Sequence, residues 1–349
     1  MNTIYLIAFF AALAGSSFLT PLAIWLSGRF GVMDQPDPRK VHRHPMPRWG
    51  GIGIFGGALF SLGTLACLVP RFRELLAYRY RIIEHNEIIG VSSLSQQFVG
   101  ILIGGAVVFV LGLLDDRKPV APLPKLLTQI IAAYVAMMYG VRIAGLAVPF
   151  KGYVEFPMLF SQVFTLFWLL GFMNVVNLAD GLDGLAAGIV AIAAGTFFFV
   201  CVLQQDTHIL LFAKQLKLGA VLSIAVCGAT IGFLFYNFFP ARVFMGDCGA
   251  LFLGFMLGAV STIGTLKTSA VLALVLPVLV VALPVLDVAF AILRRFRSGR
   301  GIMQPDREHF HHRLLALDWT QREIVLLVYV VTLVLSSATL LLTFFKGRV

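Results

Sequence analysis

Apolar residues in this chain do not alternate with polar ones over most of its length. They run in blocks of about 20, the length a helix needs to cross a hydrocarbon layer. Ten such blocks cover 3–27, 49–69, 98–114, 125–141, 158–176, 185–203, 217–236, 249–265, 269–293 and 323–345. Polar connections separate them, which predicts one integral-membrane domain over 1–349, an all-α polytopic fold of about ten transmembrane helices. Two connections break the pattern. Residues 141–156 set Gly145, Pro149 and Gly152 between short apolar alternations, which predicts a small β-hairpin outside the membrane. The stretch 71–90, with Arg71, Arg73, Arg79 and Arg81, is expected as an amphipathic helix lying in the outer interface. Pro277 and Pro284 predict a bend in the ninth block.

Composition supports the bilayer reading: of 349 residues, 59% are apolar and 13% charged, with a mean hydropathy of +0.91, outside the soluble range. The first block carries no charge, has no basic residue ahead of it, and exceeds the roughly 7–15 apolar residues of a cleaved signal, so it is read as a permanent span. Cys67, Cys201, Cys227 and Cys248 are scattered without disulfide or metal-ligand spacing. The net charge of +10 is read as loop Lys and Arg setting orientation, with no nucleic acid as partner. These residues are more numerous in the odd-numbered connections, which puts that side in the cytoplasm and the protein in the plasma (inner) membrane.

The unusual polar residues also gather in the odd-numbered connections. The first holds Lys40, Arg43 and Arg48, able to bind diphosphate or simply to anchor a loop. The third ends an apolar helix with Asp115-Asp116, costly there unless paired, hydrated or metal-bound, and able to hold Mg²⁺, accept a proton, or both. The fifth reads Asn174-x-x-Asn177-x-x-Asp180-Gly-x-Asp183-Gly, polar groups at a helical spacing of three. Its hard oxygen donors, free of Lys and Arg, suit a divalent cation or ribose hydroxyls. The seventh reads Asn237 to Pro240, then Phe244-Met-Gly-Asp247, and places Asp247 at a helix N-terminus. Phe244 there can stack on a base or anchor the interface. The ninth holds Arg307, His309, His311 and His312, with roles in phosphate or sugar hydrogen bonding and proton transfer preferred over zinc, since no Cys completes such a pattern. Asp287, inside the ninth block, reads equally as a functional acid or as the partner of a nearby arginine.

Together these motifs resemble the polyprenyl-phosphate N-acetylhexosamine-1-phosphate transferase superfamily, in order over roughly residues 30 to 320. The ending Pro305-Asp306-Arg307-x-His309-x-His311-His312 is similar to the UDP-N-acetylglucosamine branch, which starts O-antigen, teichoic acid or related glycans. In the related phospho-MurNAc-pentapeptide transferases, the alternative, three histidines typically stand in a row, and here Phe310 interrupts it. The resemblance implies transfer of N-acetylglucosamine 1-phosphate from UDP-N-acetylglucosamine to undecaprenyl phosphate, with UMP released, Mg²⁺ as cofactor and Mn²⁺ as a substitute. It implies that Asp247, helped by Asn177, holds the metal, that Asp115 and Asp116 face the reacting phosphates, and that Asp183, Phe244 and Asn237 lie toward the uridine. Arg43 falls near a nucleotide-contacting lysine of the family, and the three histidines close over the sugar or diphosphate. Asp180 belongs with the catalytic carboxylates, and Lys40, Asn174 and Arg307 with the substrate contacts. The family's substrates are the UDP-sugar and the polyprenyl phosphate in the bilayer, and homodimers are common in it. A transporter or lipid-binding protein remains the competing class, although acids gathered at one face without a repeated half are unlike a transporter's midplane site.

Overall fold

The computed structural model describes residues 2–36, 44–84, 87–148, 152–205, 209–265 and 319–346. Among these, eight helices are long and apolar enough to span a membrane. They are α1 (Asn2–Phe30), α2 (Gly51–Leu68), α4 (Leu94–Arg117), α6 (Met158–Ala179), α7 (Leu185–Gln204), α8 (Leu210–Asn237), α9 (Gly246–Val260), which runs on as a π-helical turn over Ser261–Thr265, and α10 (Gln321–Lys346). The shorter apolar helix α5 (Pro122–Met138) fills the fourth expected block. The chain is thus a polytopic, all-α membrane protein. The ninth block, 269–293, with Asp287, lies outside the described residues, as do Lys40, Arg43, Arg307, His309, His311 and His312.

Local chemistry sets the helix ends. Ser93 opens α4 with a capping box, its hydroxyl accepting from the Gln96 N–H while the Gln96 side chain accepts from the Ser93 N–H. Pro122 starts α5, where a missing N–H costs nothing. Within the spans, Thr20, Thr165, Thr196 and Thr230 return their hydroxyls to the carbonyl one turn back, so these four are satisfied within their own helices.

Helix α9 is the axis of the fold. Its span is 94% buried, against 33% for α1, α6 and α10, as expected of a sequence apolar all round. It packs chiefly against α4 and α6. Small residues allow the approach: a side chain at Gly112 of α4 would overlap the backbone of Cys248, and one at Gly254 of α9 would overlap Met173 of α6. Stacked Phe55 and Phe109, with centroids 4.0 Å apart, and Phe252 edge-on to Phe55 close the layer between α2, α4 and α9.

A short antiparallel pair, β1 (Met33–Asp34) with β2 (Met46–Pro47), lies between α1 and α2, and antiparallel hairpins cover the end of the bundle away from the polar motifs. The expected hairpin forms from β5 (Gly145–Val148) and β6 (Gly152–Glu155). The expectation of an interfacial helix over 71–90 is corrected. Only α3 (Pro70–Leu76) is helical, and the chain then forms β3 (Arg79–Glu84) paired with β4 (Glu87–Ser93). The β-branched pairs at Ile82-Ile83 and Ile88-Ile89 favour strand over helix. Buried Gln97 moors this hairpin, donating to the Tyr80 hydroxyl at 2.8 Å and the Gly140 carbonyl at 2.9 Å, while Gln215 of α8 donates to Gln97 at 3.3 Å.

Candidate active site

Four inter-helix connections meet at the other end of the bundle. The segment before α2 is stitched to the one before α9, with the Phe244 N–H donating to the Pro47 carbonyl at 2.8 Å and the Gly50 N–H to the Phe244 carbonyl at 3.0 Å. Trp49 donates its indole N–H to the Leu113 carbonyl of α4 at 3.3 Å. The same close approach at Gly112 that packs α4 on α9 therefore carries the Asp115-Asp116 pair to the first turn of α9.

The two neighbouring carboxylates have different jobs. Asp116 is wholly buried and accepts the Asp247 N–H at 2.9 Å and the Cys248 N–H at 3.1 Å, capping the α9 N-terminus. Gly246, at φ +67°, makes the turn that allows this, and any Cβ there would strike the Asp116 carboxylate and the Arg48 carbonyl. Arg48 adds charge balance, 3.5 Å from Asp116 and 3.6 Å from Asp34. Asp116, expected to face the phosphates, here holds the backbone of Asp247. Asp115 points elsewhere: it accepts the Val120 N–H at 2.6 Å and the Lys125 ammonium at 2.8 Å.

Lys125, in the first turn of α5, also bonds Asp247, so one ammonium bridges Asp115 and Asp247. The other oxygen of Asp247 accepts from the Asn177 amide at 3.0 Å. Asp115, Lys125, Asp247 and Asn177 thus come from four helices to one point, each carboxylate partly open to solvent. Sequence reasoning missed Lys125 by taking it as the first residue of a span. The available signal was a lone cation ten residues beyond Asp115, at the start of an apolar helix.

The profile described as glycosyl transferase family 4 matches residues 98–265, the stretch that carries all four residues. A probable undecaprenyl-phosphate N-acetylglucosaminyl 1-phosphate transferase of Bacillus subtilis is 33% identical over 97% of this chain and 87% of its own length. The chain belongs to glycosyl transferase family 4. A decaprenyl-phosphate N-acetylglucosaminephosphotransferase of Mycobacterium leprae is also 33% identical, over 95% of this chain and 82% of its own. A phospho-N-acetylmuramoyl-pentapeptide-transferase of Lactobacillus helveticus is 28% identical over 91% and 93%.

In this family 4 chain the turn between α6 and α7 supplies the remaining carboxylates. Asp180 ends α6, and Gly184, at φ +77°, starts α7. Burial, then the charges of Asp247 and Asp116, push the Asp180 carboxyl up to about 8, with Arg48 opposing. Asp183 accepts the Ala241 N–H at 2.9 Å. Asn237, expected toward the uridine, is buried, accepts the Gly184 N–H at 3.1 Å and donates to the Val243 carbonyl at 2.9 Å. Asn174 donates to the Gln129 side chain at 2.9 Å and the Leu170 carbonyl, one turn away from the meeting point. Phe244 is half-buried beside the stitched backbone.

Among the described residues, no three His, Cys, Asp or Glu side chains stand at metal-cage spacing. The donor chemistry nonetheless fits a hard divalent cation. Asp115 and Asp247 already converge on a cationic group, the Lys125 ammonium, and Asn177 contributes an amide beside them. Among the described residues, Arg48 pairs with Asp116, and Lys125 with both Asp115 and Asp247, so these two cations serve three carboxylates.

Proposed function

We propose that this chain transfers N-acetylglucosamine 1-phosphate from UDP-N-acetylglucosamine to a polyprenyl phosphate such as undecaprenyl phosphate, releasing UMP, at the cytoplasmic face of the plasma membrane. The observation that carries the reading is the convergence of Asp115, Lys125, Asp247 and Asn177 where membrane helices end, in a chain 33% identical along nearly its whole length to two N-acetylglucosamine-1-phosphate transferases. A lipid phosphate held at the membrane surface and a soluble nucleotide sugar both reach such a place.

The acceptor oxygen of the lipid phosphate attacks the β-phosphorus of the UDP-sugar. The bond to the α-phosphate oxygen breaks, and UMP leaves with that oxygen. Asp115, at the membrane end of α4, keeps the lipid phosphate deprotonated and in line for attack. Lys125 swings from the two carboxylates onto the diphosphate and offsets charge on the leaving UMP. Asp116 and Gly246 hold Asp247 in register, and Asp180 and Asp183 fix the turn between α6 and α7. Mg²⁺, with Mn²⁺ as a substitute, would be held by Asp247 and Asn177 with help from Asp115, and when bound supplies Lewis-acid polarisation of the diphosphate and charge neutralisation.

The test uses purified protein in detergent with undecaprenyl phosphate, Mg²⁺ and, separately, UDP-N-acetylglucosamine, UDP-N-acetylgalactosamine and UDP-MurNAc-pentapeptide, and records UMP. Release with the first donor supports the reading. Release only with the pentapeptide donor moves the chain to the other branch, and silence with all three from folded protein rejects the function.

A further inference from the structure

The turn bearing Asp180 and Asp183 has an anchor from outside residues 98–265. Tyr329, about two turns into α10, donates its hydroxyl to the Gly184 carbonyl at 2.5 Å. Its ring fills a socket made by two glycines one helical turn apart. A Cβ at Gly188 would lie inside the ring, and one at Gly184 would touch the hydroxyl. The Gly184 N–H is meanwhile held by Asn237 at 3.1 Å. Both peptide groups of the one left-handed residue between Asp183 and α7 are therefore fixed by side chains from other helices. The same carbonyl also accepts the Gly188 N–H at 2.9 Å, so α7 keeps its first turn without Tyr329. The phenol thus adds direction to the turn more than integrity to the helix.

We propose that Tyr329 is a positioning residue for the transfer reaction, holding the Asp180–Gly184 turn against the site through the Gly184 carbonyl. This rests on the function proposed above. A neighbouring hydroxyl provides the contrast: Thr332 of the same helix is buried but bonds only its own helix, at the Val328 carbonyl. A role confined to helix packing would make the two residues alike.

The experiment compares Tyr329→Phe, which removes only the hydroxyl, with Thr332→Val in the full chain. It measures Tm, kcat and KM for UDP-N-acetylglucosamine, half-saturating Mg²⁺, and hydrogen exchange of the metal-free protein in peptides covering 180–188. One hydrogen bond corresponds to about a tenfold effect. Tyr329→Phe is expected to lower kcat about tenfold with KM nearly unchanged, raise half-saturating Mg²⁺ severalfold, and speed exchange at the turn about tenfold. Its Tm should stay within about 2 °C of wild type, and Thr332→Val should change none of these. Wild-type kinetics and exchange in Tyr329→Phe would overturn the proposal. So would equal changes in Thr332→Val, or a Tm loss above about 5 °C in Tyr329→Phe, which would mark a packing role. If the wild-type protein releases no UMP, the function reading fails by itself, and the exchange comparison alone decides the role of Tyr329.

Discussion

Asp115 and Asp116 are neighbours in sequence with opposite fates, because the helix they end rotates one toward α9 and the other toward α5. Their consequences on substitution should differ accordingly. In the proposed reaction Asp115→Asn and Asp247→Asn remove charge beside the reacting phosphates and should each cost at least about 10²-fold in UMP release, while the protein stays folded in detergent. A near-normal rate in either would remove that residue from the site. Lys125→Gln separates two effects that Lys125 combines. Without its ammonium on the leaving group, turnover should fall about 10²-fold. Yet half-saturating Mg²⁺ should fall as well, because the ammonium no longer competes for Asp115 and Asp247. A titration showing weaker metal response in Lys125→Gln would mean that the bridge supports the cation instead of standing in its place.

The elements explain why some of this was legible in sequence and some was not. Hydrophobic blocks long enough to span a bilayer declare themselves by composition alone; α6 at 158–179 follows the block 158–176 closely, while α8 starts at Leu210, seven residues ahead of the block 217–236. The motif carboxylates stand out because charge beside apolar helix is expensive. Three things were not legible. Strand against helix in 71–90 turned on β-branched pairs and a hairpin docked through Gln97, a contact far away in sequence. Which carboxylate caps and which reacts depends on the rotation of α4. Lys125 and Tyr329 look like ordinary helix residues until their partners are known. The approach of α4 to α9 depends in part on Gly112, where a side chain would overlap the Cys248 backbone. Gly112→Val should push these helices apart, destabilise the protein by about 1–3 kcal/mol as overpacked interiors do, and lower UMP release. Gly63→Ala in α2, where a new Cβ meets nothing within 4 Å, should leave Tm and activity unchanged. Equal effects from the two would show that helix propensity, not the approach of α4 to α9, governs the response.

On the scale of the whole molecule, the proposed reaction brings two anions, a nucleotide diphosphate and a lipid phosphate, to a face where Asp115, Asp116 and Asp247 share Arg48 and Lys125. Asp180 already responds to its acidic neighbours, its carboxyl raised to about 8 by burial and by the charges of Asp247 and Asp116. The Mg²⁺ of the proposed mechanism would offset the carboxylates before substrate arrives and the diphosphate afterwards. Removing it with a chelator should therefore do more than stop UMP release. Asp115 and Asp247 would be left facing each other across Lys125 alone, so Tm should fall in chelator at neutral pH. The fall should grow as the pH rises through about 8, where the raised Asp180 carboxyl loses its proton and adds a further negative charge. Added Mg²⁺ should restore both activity and Tm, since binding to the folded state alone stabilises it by mass action. Activity that persists in chelator would overturn the metal's role in the transfer, and a Tm indifferent to chelator at both pH values would place the cation away from these carboxylates.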